Sequence, residues 1–264
     1  MLARQRSAKV WVYACAVRGG GVHGGGAVVG GHSTRGEGGR ALRPDAAARR
    51  AVQARAASLW SNHDHRTEAV RIVRGPSGRP ALTLARSGEP VANADVSCSA
   101  CPGLVVAAFA EGARVGVDVE RAGDVAIDET LVEHTTDARE WAELRSELLA
   151  TGAGFGDLAV GGLTHEHVYL LAWTAKESVL KGEGLGLAAE PRDVRVRVLG
   201  PAGSSARGLG VFRGRSWSLQ WFVPAPGVVG CAATSVEAGV APIIGLEMAT
   251  QPAITASTTT TRTA

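Results

Sequence analysis

Residues 113–120, ARVGVDVE, and residues 164–184, THEHVYLLAWTAKESVLKGEG, decide how this chain is read. In the first segment Val115, Val117 and Val119 alternate with Gly116, Asp118 and Glu120, the period of a strand. Asp118 and Glu120 therefore share one face at the end of an otherwise apolar strand. In the second, a helix is predicted from about Thr164 to Lys181, with Gly182 and Gly184 as stop signals. Glu177 and Lys181 stand four apart on one face of it, with Trp173 a turn earlier. Two neighbouring carboxylates repel unless a cation lies between them. Magnesium suits, because it takes hard oxygen ligands and keeps positions open for water and phosphate. The helix adds a third carboxylate and an ammonium.

Taken singly, each segment reads as solvated surface: a Glu–Lys pair at four residues is a common helix ion pair worth ~0.2–0.5 kcal/mol. The lysine usage argues otherwise. Of 28 basic residues only Lys9, Lys176 and Lys181 are lysines, and two of them flank Glu177.

Working outward, AKVWVYACAV at 8–17 reads as a buried strand, followed by a glycine-rich connection at 19–39. A first helix is expected from Pro44 to Trp60, then strands at 70–73 and 81–84 around the turn GPSGRP, and strands from 104 and from 113. A leucine-spaced helical segment covers 128–150, and the glycine-rich stretch to Gly162 reads as an inserted surface loop. Strands follow at 194–199, from 216 and from 228. The pattern is α+β in two lobes, residues 1–117 and 118–240, each a small antiparallel sheet packed with helix. Residues 241–264 end in TASTTTTRTA and read as a disordered tail.

The 264 residues include 45% hydrophobic and 20% charged residues, with no apolar run near the ~18 residues of a membrane-spanning helix. The net charge of +3 is too small to build a nucleic-acid surface by itself. Cys15, Cys98, Cys101 and Cys231 are too sparse for a disulfide framework, which points to a reducing, cytoplasmic setting. The lone CxxC at 98–101 and the HDH and HEH triplets at 63–65 and 165–167 lack the spacing of a zinc site. The glycine patches contain no GxxxxGK[ST] phosphate loop.

The two deciding segments resemble the signature of the 4′-phosphopantetheinyl transferases: a strand ending in Gly116, Asp118 and Glu120, then a helix carrying Trp173, Lys176, Glu177 and Lys181. GRP at 78–80 and WFVPAPGVVGCAA near the C-terminus are similar to further family segments, so the likeness spans roughly residues 40–235 and is nearest the larger, monomeric class. The resemblance implies two α+β lobes related by a pseudo-twofold, with coenzyme A and magnesium in the cleft between them. It implies transfer of the phosphopantetheine arm to a serine of an acyl or peptidyl carrier protein, with release of 3′,5′-adenosine bisphosphate. By that likeness Asp118, Glu120 and Glu177 hold the metal, Glu177 takes the serine proton, and Lys181 and Lys176 stand by the phosphates. Arg79, Ser97 and Cys98 would meet coenzyme A, with Arg43, Arg49 or Arg50 as candidates for its 3′-phosphate. One departure is visible: the family's Ser-His-Ser reads Ser97, Cys98, Ser99, replacing an imidazole with a neutral thiol. The alternative reading is a non-catalytic member that binds carrier proteins.

Overall fold

The structure, a computed structural model, describes residues 9–18, 44, 46–63, 68–75, 78–124, 126–150, 162–202, 205–235 and 251–255. Two sheets form its centre. In the first, β1 (Lys9–Arg18) pairs antiparallel with β5 (Leu104–Glu111), and β5 with β4 (Ala94–Cys101). In the second, β6 (Val115–Arg121), β10 (Val228–Ser235), β9 (Arg215–Ala225), β8 (Ser205–Phe212) and β7 (Arg195–Ala202) follow one another in an all-antiparallel order. The hairpin of β2 (Val70–Arg74) and β3 (Pro80–Leu84) stands apart.

The pleat explains the layering, because alternate residues of a strand face the same side. Val10, Val12 and Ala14 of β1, with Val106 and Ala108 of β5, meet Val115, Val117 and Val119 of β6 in one shared apolar layer. The outer face of the first sheet is covered by α1 (Ala46–His63), whose Trp60 stacks on Phe109 with centroids 5.2 Å apart. The outer face of the second sheet is covered by α4 (His165–Glu183), buried over most of its length, with Trp217 and Trp221 beneath it. Both ends of α4 are capped: Thr164 and His167 form a capping box, and Gly184 closes the helix at φ 77°. This matches the expected helix.

Several expectations need correction. The segment 128–150 is two helices, α2 (Glu129–Thr135) and α3 (Ala138–Ala150). Strand β4 was not foreseen because ADVSCSAC is small and polar, and its reason lies across the molecule: Ser97 Oγ accepts the Val117 N–H and Asp95 Oδ2 the Val115 N–H, so β4 side chains cap the open edge of β6. Strand β8 was missed through its glycines. A Cβ at Gly208 would strike Trp221, and one at Gly210 would crowd Val179 of α4, so these glycines make room for neighbours. The chain passes from the first sheet to the second at residues 112–114, between β5 and β6. Within the expected tail, β11 (Gln251–Thr255) is a strand pairing parallel with β1, while the remainder of 241–264 lies outside the described residues. So do residues 19–39 and most of the expected insertion, 151–161. Among the described residues no helix is long and apolar enough to cross a membrane.

Candidate active site

Glycine brings the deciding strand and helix together. A Cβ at Gly116 would overlap the Ser178 carbonyl of α4 and lie 2.6 Å from the Gly182 nitrogen, so β6 and α4 approach with backbone against backbone. Because Gly116, Asp118 and Glu120 share a face, that approach carries both acids to the side occupied by α4.

Asp118 is 2% exposed. Its Oδ1 accepts from Lys181 Nζ at 2.5 Å and from Ser99 Oγ at 2.8 Å, and Lys181 also donates to Ser99 at 3.0 Å. Three elements thus meet at one point: β6 through Asp118, α4 through Lys181, and β4 through Ser99. Asp118 Oδ2 is buried and accepts no hydrogen bond. Glu177, one turn before Lys181, is 6% exposed, and burial first and Asp118 second push its carboxyl pKa up, against the pull of Lys181. For Lys181, burial opposes the charged form, but Asp118, Glu177 and Glu120 outweigh it and the ammonium is held above its usual range. Upstream on α4, Tyr169 and Trp173 stack with centroids 6.2 Å apart.

The three acids expected to bind metal are therefore neighbours around Lys181, although not a tight triad: among the described residues no three His, Cys, Asp or Glu groups stand together at metal-holding distances. The Lys181 ammonium sits directly against Asp118 and offsets its charge. The donor set nonetheless fits a hard cation. Asp118 keeps a buried, unbonded carboxylate oxygen, Glu177 repels it, and magnesium needs only one or two protein carboxylates when phosphate oxygens complete its shell. Glu120, half-buried at the strand end, is the outer member.

Three expected residues make other contacts. Lys176 is fully buried and donates to Glu140 Oε2 of α3 at 2.8 Å and to the Val194 carbonyl at 2.5 Å. Successive helix residues are turned by about 100°, so Lys176 cannot share the aim of Glu177. Its pKa is lowered by burial, partly offset by Glu140. Arg79 donates to Asp95 and to backbone carbonyls, and it also lines an open cavity of about 630 Å³ with Arg114 and Arg215. Ser97 is 3% exposed, and its hydroxyl accepts from β6.

Cys98 points the other way from Ser97 and Ser99, towards α1. Its thiol lies against Gln53, and burial pushes its pKa up to about 12. Gln53 lines an open cavity of about 690 Å³ together with Arg49, Arg50, Arg74 and Pro44. Arg49 and Arg50 are thus where an anion could meet them; Arg43 lies outside the described residues. His165 packs edge-on to Trp141 and His167 serves the helix cap, so the HEH triplet has local structural roles.

Sequence reasoning missed Ser99, Asp95 and Gln53. The signal for the first two is the alternation Asp95, Ser97, Ser99, which points all three to one side once β4 is known to be a strand.

Residues 114–233 match the family model of the 4′-phosphopantetheinyl transferase superfamily. Over that span the chain is similar to that superfamily. The matched span begins just before β6, includes Asp118, Glu120, Glu177 and Lys181, and ends within β10. The matched span therefore holds the strand and helix acids, while Ser99 reaches them from the sheet outside the match. No curated protein matches the chain.

Proposed function

We propose that the protein moves the 4′-phosphopantetheine arm of coenzyme A onto a serine hydroxyl of an acyl or peptidyl carrier protein. The observation that carries this reading is the meeting of Asp118, Glu177 and Lys181 where α4 lies on β6. In the transfer, the serine oxygen forms a new bond to the phosphorus of the arm, and the bond from that phosphorus to the nucleotide oxygen breaks, releasing 3′,5′-adenosine bisphosphate. Glu177 is suited to take the serine proton, because burial and Asp118 raise its basicity. Lys181 stays charged and can swing from Asp118 to the leaving phosphate, with Ser99 holding the carboxylate it leaves behind. Asp118 and Glu177, with Glu120 outermost, would hold a magnesium ion, which when bound supplies neutralising charge for the pyrophosphate oxygens.

The basic cavity between α1 and β2 has the size and charge for the nucleotide end of coenzyme A, with Arg49, Arg50 and Arg74 on its wall. Cys98 stands behind Gln53 and offers a neutral thiol there, so cationic contact with the 3′-phosphate falls to the arginines. The two-lobed pseudo-symmetry, a monomeric state and a cytoplasmic location belong to this same reading.

The test is intact-mass analysis of an apo carrier protein mixed with the enzyme, coenzyme A and magnesium. Gain of one phosphopantetheine mass supports transfer. Unmodified carrier at millimolar coenzyme A, with carrier still bound, would establish the non-catalytic alternative, which the neutral Cys98 favours.

A further inference from the structure

Arg79 stands just before β3, and its guanidinium is committed on nearly every side. Nη1 and Nη2 donate to Asp95 Oδ1 and Oδ2 at 2.8 and 2.7 Å, Nη2 also donates to the Val115 carbonyl at 2.8 Å, and Nε donates to the Lys181 carbonyl at 3.1 Å. Asp95 in turn accepts the Val115 N–H at 2.8 Å. The stem of Arg79 lies on the helix stop, where a Cβ at Gly184 would stand 3.1 Å from Arg79 Cδ. Both side chains are largely buried, at 18% and 16% exposure.

These contacts join the hairpin β2–β3, the edge strand β4, the start of β6 and the last turn of α4. The Lys181 carbonyl is among the final four of its helix; it accepts the Gly184 N–H of the helix stop at 3.1 Å, and the guanidinium adds a second, cationic donor at that negative end. We propose that Asp95 is a positioning residue: it aims the fork of Arg79, which holds the last turn of α4 against β6 and so sets where Lys181 meets Asp118. Arg79 acts as an interior clamp. A planar fork with paired N–H groups is required for this, and a lysine point charge cannot reproduce it. Arg114 independently holds the Glu183 carbonyl at 2.8 Å, so loss of the clamp changes the aim of the helix end without releasing it. The kinetic half of this proposal rests on the transfer reading above; the structural half does not.

The experiment pairs amide hydrogen exchange with steady-state transfer kinetics on full-length D95N, R79K and the double variant. The last turn of α4 and the Val115 amide should exchange at least ~10-fold faster in both single variants, with the middle of α4 still protected. The transfer kcat should fall at least ~10-fold while KM for coenzyme A stays within ~2-fold, since misaim costs rate rather than binding. The double variant should be no worse than the poorer single one, because both changes break one unit. If R79K raised KM with kcat preserved and D95N behaved as wild type, Arg79 would be a phosphate contact and the proposal would fail. Unchanged exchange in both variants would overturn it equally. Absence of transfer by the wild-type protein would defeat the transfer reading alone, leaving the exchange result to decide the clamp. R79K, which keeps charge and bulk, carries both measurements if D95N is not recovered folded.

Discussion

At the scale of single residues, position on the helix decides chemistry more than residue type does. Glu177 and Lys176 are adjacent, yet one faces Asp118 and the other disappears against Glu140. Asp118→Asn or Glu177→Gln should therefore reduce transfer by about 100-fold or more, the scale of removing a group that meets developing charge, with far-ultraviolet circular dichroism unchanged. Near-native turnover in either would disqualify these acids. Lys176 serves the fold instead. Its pair with Glu140 is 0% and 5% exposed, and Glu140 also accepts the Val196 N–H on the open edge of β7. Lys176→Met alone leaves the buried Glu140 carboxylate with only the longer, exposed Arg195 contact at 3.4 Å as cationic partner and should cost about 3 kcal/mol in urea unfolding, while adding Glu140→Gln should restore part of that loss. A Lys176 variant of full stability but no activity would instead return it to the phosphate role that resemblance suggested.

At the scale of elements, the site depends on how closely α4 can lie on β6. Gly116→Ala puts a methyl into helix backbone, which cannot yield as a side-chain tip could. The expected outcome is a loss of about 3 kcal/mol or more by thermal unfolding, with transfer falling further than stability because Asp118 is displaced from Lys181. The helix and β6 were legible because strong periodicity and glycine stops are local signals. Strands β4 and β8 were not. Small and polar residues in β4 acquire their purpose only from the unpaired N–H groups of β6, and glycines in β8 only from Trp221 and Val179. Neither partner is near in sequence, so neither strand announces itself.

Across the whole molecule, the sheets share one apolar layer and the acids sit at its margin, where β4 of one sheet borders β6 of the other. Magnesium with coenzyme A should raise the melting temperature of the wild-type protein, since ligands that bind only the folded form stabilise it, and should raise that of Asp118→Asn much less. Differential scanning fluorimetry separates these outcomes; equal shifts would place the ligands elsewhere. Buried thiols give a second global effect. Burial pushes Cys98 and Cys101 up to about 12 from an ordinary 9.0, so between those values the folded chain keeps protons that the unfolded chain releases. Their contribution is therefore intact below about pH 9 and is lost progressively as pH rises towards 12. Unfolding midpoints measured from pH 8 to 10 should fall, and Cys101→Ala should flatten that slope. The chain's own order of residues determined the β6 strand and the α4 helix and pointed to the chemistry proposed for them, because alternation, helical spacing and scarce lysines are properties of neighbours along the chain. Only the tertiary structure decided that Lys176 turns inward, that Arg79 pairs with Asp95 and that Ser99 and Asp95 reach across: on a helix buried nearly all round, each side chain's role is set by whichever element covers its direction.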